Sequence, residues 1–358
     1  MDKKLNLALF FGGRSGEHEV SIRSAQSVYE HLDRSKYNVH LIKLSKNGQA
    51  FYLNNFSEKE GHKRVFFNPF RDLSSDFQLM AIDADKNRER IAIDLVLPVL
   101  HGPLYEDGAM QGVLELASIP YIGAGLLSSA VSMDKDLAKK LVALAGIEVV
   151  PSVVVTKESS AANIELPFAY PVYVKPACMG SSVGISKVHE KEALKAALDL
   201  AFSYDQKALI EKSIEARELE VAVLQKSDGS IVVGEVGEII AEKSFYSYEE
   251  KYSEKSSTEL VVPAKIDDEL KKTLKAKALK AFKTLGIEAM ARVDFFLQKS
   301  DQSIFFNEVN TLPGFTSISM YPKLMMQTGM SYSELLDELI QAAITHHKKK
   351  SQLKTEAQ

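Results

Sequence analysis

The chain has 358 residues, 45% of them hydrophobic and 26% charged, with a formal net charge of −4. That length accommodates two or three domains with separate cores, and the acidic balance argues against a nucleic-acid partner, which would want a basic face. One cysteine, Cys178, excludes an intrachain disulfide and fits a reducing compartment, and no segment is apolar enough to span a membrane, so a cytoplasmic protein is expected.

Residues 5–11 form an apolar run that reads as a buried strand. It is too short for a signal peptide, is broken by Asn6 and ends in Gly12-Gly13-Arg14 without a cleavage site. Ser21 is predicted to cap a helix whose apolar stripe is Ile22, Ala25, Val28, Tyr29 and Leu32. Strands are predicted at 39–44 and 93–100, while 57–90 is charged and carries no clear period. Helices over 109–118 and 128–145 flank a short strand at 120–122. Alternating strands and helices predict a parallel sheet with ligand loops at its carboxyl edge. After Gly146 the pattern changes to strands at 152–155, 171–175, 208–211, 221–224 and 231–239, with a helix over 190–203, which predicts an α+β half. Residues 241–259 are rich in Tyr, Lys, Glu and Ser and follow neither period, as a functional lid does. A helix over 267–285, a hairpin of strands at 289–297 and 304–310, and a helix over 331–346 complete the chain. The basic run from His346 to Lys350 reads as a solvated tail.

The hairpin carries the clearest chemistry. Alternate residues of a strand share a face, so Arg292 and Asp294 point one way, as do Glu308 and Asn310. The segment from Lys299 to Ser303 is a turn by composition. Pairing Gln298 with Ile304 sets Asp294 opposite Glu308 and Arg292 opposite Asn310. One such pair reads as a cross-strand salt bridge. Three oxygen ligands and an arginine in one patch favour a hard-cation site such as Mg²⁺, beside a group suited to a transferring phosphoryl.

Lys175 ends a strand and precedes Gly180-Ser181-Ser182-Val183-Gly184, where small residues let backbone N–H groups approach phosphate oxygens. The lysine comes before the glycines, so this is not a Walker A loop, and a plain hairpin turn also fits it. No motif supplies Cys178 with a base, and it reads as incidental. Glu211 and Glu218, at and after a strand, fit either an adenine and ribose edge or a solvated strand end. The loop from Gly12 to Glu17 lacks dinucleotide spacing, which argues against a dehydrogenase, and a carboxylate there suits a substrate ammonium group.

With these pieces in order, the chain resembles the D-alanine–D-alanine ligases of the ATP-grasp superfamily over nearly its whole length. The carrying segments are Gly12 to Ser21, His101 to Gly108, Ser132-Met133-Asp134-Lys135, Lys175 to Gly184, Glu249 to Tyr252, Arg292-Val293-Asp294 and Glu308 to Ser319. The resemblance implies an ATP-grasp fold behind an N-terminal parallel α/β domain: residues 1–125 for substrate, 126–211 and 212–350 as the central and C-terminal ATP-grasp subdomains, and 351–358 as a tail. It implies that ATP converts a first D-alanine to an acyl phosphate, which a second D-alanine attacks.

Carried over, Glu17 binds the first ammonium and anchors a triad with Ser181 and Tyr252. Asp294, Glu308 and Asn310 hold two Mg²⁺ ions, or Mn²⁺. Arg292 and the N–H of Gly314 form an oxyanion hole, Ser319 receives the second carboxylate beside Met320, and His101 lies near the first substrate. Lys135, Lys175 and Lys251 contact ATP phosphates together with the Ser182 loop. Glu211, Lys212, Ile214 and Glu218 frame adenine and ribose, and Phe245 packs on the base. A homodimer, with no nucleic-acid or membrane partner, is expected. The family commonly has glycine where this chain has Tyr105, so the loop after His101 is expected to differ in shape. Same-fold ligases that take D-lactate or D-serine, or a non-catalytic nucleotide-binding regulator, are the alternatives. Lys251-Tyr252 argues against D-lactate, and the intact Arg292, Asp294, Glu308 and Asn310 argue against the regulator.

Overall fold

The computed structural model describes residues 3–58, 61–70, 75–158, 164–240 and 259–354. The first strand, β1 (Leu5–Gly12), pairs in parallel with both β2 (Tyr37–Leu44) and β7 (Leu95–Val99). Helix α1 (His18–His31) is the crossover that a parallel β1–β2 pair requires. The expected parallel sheet is therefore present, but it continues. The segment without a period holds β4 (Lys63–Phe66), β5 (Gln78–Ile82) and β6 (Arg88–Ala92), which join β3 (Ala50–Leu53) as an antiparallel extension in the order β6-β5-β4-β3-β2-β1-β7. Of β4, β5 and β6 only β6 is an edge strand, but all three carry exposed residues on one face, and the charged residues of β4 and β6 hid the period.

Three further expectations are corrected. Ser21 is not a cap: α1 starts at His18, and the Ser21 hydroxyl accepts from Gly12 N at 2.7 Å and donates to the Val99 carbonyl, tying the ends of β1 and β7 together. The helix over 128–145 is two helices, α3 (Leu126–Met133) and α4 (Lys135–Leu144), broken at Asp134. That residue turns to extended backbone and its carboxylate accepts from the N–H groups of Asp136 and Leu137 at 3.0 and 3.1 Å, which starts the new helix. The strand at 120–122 is only a bridge between Val96 and Tyr121, after α2 (Ala109–Leu116).

A four-stranded antiparallel sheet follows, in the order β10-β9-β11-β8: β8 (Ser152–Thr156), β9 (Val172–Pro176), β10 (Ser186–Val188) and β11 (Lys207–Lys212), with α5 (Leu194–Ala201) packed on it. The third sheet is antiparallel in the order β14-β13-β12-β15-β16, built from β12 (Ala216–Gln225), β13 (Ile231–Ile240), β14 (Glu259–Val261), β15 (Met290–Gln298) and β16 (Ile304–Asn310). Strand alternation divides its two faces. Leu219, Val221 and Val223 pack with Leu274, Ala278 and Phe282 of α6 (Asp268–Thr284). Ala222 and Leu224 face α7 (Met320–Met326), whose Tyr321, Leu324 and Met325 share a core with β1, α1 and α8 (Tyr332–Ser351). That shared core holds the start of α1 over the open face of β15 and β16. No helix among the described residues is long and apolar enough to cross a membrane.

Candidate active site

Between these layers lies a cavity of about 810 Å³, lined from the N-terminal sheet by Glu17 and His101, from the central region by Lys135 and Ser181, and from the third sheet by Arg292 and Glu308. The floor is the β15–β16 hairpin. Asp294 is opposite Glu308 and Arg292 opposite Asn310, as expected, but Leu297 and not Gln298 pairs with Ile304. A bulge between these two stretches absorbs the one-residue difference. Without it the register from Leu297 would put Asn307 opposite Asp294 and turn Glu308 to the other face.

Arg292 forks onto Asp294, with Nε donating to Oδ1 at 2.8 Å and Nη2 to Oδ2 at 2.7 Å, and its Nε lies 3.1 Å from Glu220 Oε2. Burial works against the guanidinium charge, but Asp294 and Glu220 hold its pKa well above the ordinary value. Glu308 lies 3.4 Å from Lys135 Nζ, which also donates to the Met179 carbonyl. Two carboxylates and a carboxamide on adjacent ladder positions form an all-oxygen donor set that fits a hard divalent cation. Asn310 Oδ1 also accepts from Leu312 N at 3.0 Å, fixing the start of the Pro-Gly turn.

That turn leads to Gly314. A Cβ there would lie 2.9 Å from Ser319 Oγ, which is itself held by Thr316 N at 2.9 Å and Thr316 Oγ1 at 2.8 Å. Ser319 precedes α7, so the loop from Gly314 to Met320 presents a hydroxyl and backbone groups to the cavity. Opposite, Ser181 donates to Glu17 Oε1 at 2.5 Å, bridging the phosphate-type loop to the start of α1. Ser181 and Ser182 have φ of +53° and +60°, a left-handed backbone that costs a non-glycine residue energy and that recurs where a loop is held to a purpose.

The glycine turn behind Glu17 is tight for a visible reason. Gly12 and Gly13 have φ of +91° and +99°, and Cβ atoms would meet the Leu44 carbonyl and the Tyr105 ring at 2.3 and 2.6 Å. Tyr105, the departure from the family pattern, is buried there and its hydroxyl accepts from Arg14 N at 3.0 Å. His101 is buried as well. Its Nδ1 meets the Leu312 carbonyl at 3.0 Å, while Nε2 has no hydrogen-bond partner among the described residues. Burial lowers the affinity of this ring for a proton, yet Glu106 and Glu17 outweigh it and raise the pKa above that of an ordinary histidine.

Lys175 and Glu211 meet one another away from the cavity floor. Glu211 is buried between Lys175 and Lys139, accepting from both. Burial pushes Lys139 down to about 8, partly offset by Glu211. Lys212 and Glu218 are exposed and Ile214 is half-buried beyond the end of β11. Cys178 has its thiol pushed up to about 12 by burial and by Asp205, so it carries little thiolate. Phe245, Lys251 and Tyr252, with nearly all of the expected lid at 241–259, lie outside the described residues. The sequence reading missed Lys139 and Glu220. Both had a signal: Lys139 is four residues after Lys135 on one helix, and Glu220 is two after Glu218 on one strand.

Comparison with known proteins follows the same lines. Residues 6–124 match the family model described as D-ala D-ala ligase N-terminus, and residues 141–341 match that described as D-ala D-ala ligase C-terminus. A protein named D-alanine–D-alanine ligase from Caldicellulosiruptor bescii is 47% identical over 360 residues, covering 98% of each chain. D-alanine–D-alanine ligase A of Escherichia coli is 38% identical over 365 residues, covering 99% of each. Among solved structures, a D-Ala:D-Ser ligase from Enterococcus faecalis superposes with a TM-score of 0.84 at 39% identity, covering 95% of this chain and all of that one.

Proposed function

The chain belongs to the D-alanine–D-alanine ligase family, and we propose that its cavity joins two D-alanines at the expense of ATP. The γ-phosphoryl group passes to the carboxylate of the first D-alanine, the amine of the second attacks the acyl phosphate, and collapse of the tetrahedral centre expels inorganic phosphate. The dipeptide feeds peptidoglycan precursor synthesis. The convergence of Arg292, Glu308, Asn310, the Gly314–Ser319 loop and the Glu17–Ser181 contact on one cavity, with Asp294 held behind it by Arg292, supports this reading.

The first step brings an anionic phosphate against an anionic carboxylate, so the site must supply positive charge. In this reading Lys135, Lys175 and Lys251 approach the phosphates under the Ser181–Ser182 loop, and Glu17 fixes the first ammonium with Ser181 and Tyr252. His101 packs beside that substrate. Arg292 and the Gly314 N–H then receive the oxyanion of the tetrahedral centre, while Ser319 takes the second carboxylate beside Met320. Glu211, Lys212, Ile214, Glu218 and Phe245 surround adenine and ribose. Asp294, Glu308 and Asn310 would hold Mg²⁺ or Mn²⁺, which when bound neutralises charge on the ATP phosphates. A cytoplasmic homodimer, divided at about residues 125 and 211, completes the proposal.

The likeness to a D-Ala:D-Ser ligase favours one second reading, in which D-serine is the acceptor. Phosphate release with ATP, Mg²⁺ and D-alanine tests both, with product masses read from equimolar D-alanine, D-serine and D-lactate. D-Ala–D-Ala is the expected main product. D-lactate turnover equal to that of D-alanine at neutral pH overturns the substrate assignment, and D-Ala–D-Ser as main product establishes the second reading.

A further inference from the structure

Glu220 is a buried carboxylate that the proposed mechanism does not use. Its side chain is 6% exposed, on the face of β12 that looks into the cavity. It sits opposite Asp294 in the β12–β15 pair, and Glu308 sits opposite Asp294 in the β15–β16 pair. Three carboxylates therefore lie in one row across three strands, and Arg292 occupies the next row between Ala222 and Asn310.

The Arg292 fork engages both oxygens of Asp294, while its Nε also faces Glu220 at 3.1 Å. A carboxylate chelated in this way has given its best lone-pair directions to the guanidinium. To bind a cation closely, Asp294 must let the arginine go, and a buried guanidinium that loses its only counter-ion is strongly penalised. Here a second carboxylate is already in place, held by strand register with its Oε2 3.1 Å from the same Nε. We propose that Glu220 is a positioning residue that takes over Arg292 when Asp294 turns to the metal, leaving the guanidinium aimed at the reacting carbon. This rests on the assignment of Asp294 as a metal ligand.

The test measures Mn²⁺ binding by electron paramagnetic resonance, on full-length protein with a non-hydrolysable ATP analogue. It compares the wild type with Asp294→Asn, Glu220→Gln and Glu220→Asp. Glu220→Gln leaves Arg292 chelated on Asp294 and is expected to weaken Mn²⁺ by about tenfold. Its kcat is expected to fall while KM for the first D-alanine stays within about twofold. Glu220→Asp keeps the charge and is expected to recover most of the loss. If the glutamine is not tolerated, Glu220→Met serves as the neutral variant. Wild-type Mn²⁺ affinity in a folded neutral variant, with affinity lost in Asp294→Asn, overturns the role of Glu220 alone. Wild-type affinity in Asp294→Asn overturns the metal assignment and this inference with it.

Discussion

Replacing Glu211 by Gln removes the carboxylate that two buried lysines share, and its cost has a predictable pH dependence. The Lys139 and Lys175 side chains are 4% and 8% exposed, and both donate to Glu211. Lys139 already has its pKa lowered from 10.5 to about 8, chiefly by burial. The unfolded chain keeps that proton up to about pH 10.5 and the folded chain only to about pH 8. Between those values the unfolded state binds more protons, so stability rises with pH. The burden of about 3 kcal/mol is fully present below pH 8 and is relieved as the pH approaches 10.5. Glu211→Gln deletes the attraction that partly supports the Lys139 charge, so its pKa falls further. The loss is expected to be about 3–5 kcal/mol at pH 7, where the charged, paired Lys139 of the wild type must release its proton in the variant and Lys175 loses its partner. At pH 9 Lys139 is largely neutral in both proteins, and the loss is expected to shrink by about 1 kcal/mol or more. Urea unfolding followed by circular dichroism at the two pH values measures this. A loss under about 1 kcal/mol at pH 7, or one no smaller at pH 9, refutes the reasoning.

Two changes probe the cavity itself. Ser181→Ala removes the 2.5 Å bond to Glu17 without altering the backbone requirement, so KM for the first D-alanine is expected to rise about tenfold with little change in melting temperature. An unchanged KM would detach Ser181 from substrate binding. Gly314→Ala places a Cβ 2.9 Å from a Ser319 hydroxyl that Thr316 holds on two sides, so the loop must shift. Its kcat is expected to fall about tenfold or more, since a misplaced oxyanion donor costs on the order of 2 kcal/mol; activity within twofold of wild type would show that the loop yields freely.

What the chain discloses about itself depends on how local the cause is. The parallel β1–β2–β7 unit, the antiparallel third sheet and the α6 stripe were legible because burial on one side stamps a period on the residues. The strands β4, β5 and β6 were not, because one face is wet and, in β4 and β6, Lys63, Arg64, Glu89 and Arg90 mask the period. The break at Asp134 was visible as chemistry, Ser132-Met133-Asp134-Lys135, yet was absorbed into a longer helix because apolar residues continue on either side. In the site, Glu17, His101, Lys135, Ser181, Arg292 and Glu308 are named from the sequence and line the cavity, whereas Glu220, which also lines it, and the buried Lys139 are not. Glu220 and Lys139 look like surface charges by type, and only strand pairing and helix packing show that they are enclosed.

The β15–β16 hairpin shows why a correct pairing can follow from an incorrect register. Counting back from a Gln298–Ile304 pair puts Asp294 opposite Glu308, and so does the structure, although Leu297 is the true partner of Ile304. The one-residue difference is taken up by a bulge, and bulges leave little trace in sequence because any residue that accepts the local twist can occupy one. The proposed site calls for Asp294 and Glu308 on one face with Arg292 and Asn310, whereas the far end of the hairpin places Phe295 and Phe306 in the core, where their rings meet at 6.2 Å. A regular ladder from Leu297 would satisfy the core and turn Glu308 away. The irregular step satisfies both, so one hairpin accommodates the buried Phe295–Phe306 pair and the carboxylate row of the proposed site.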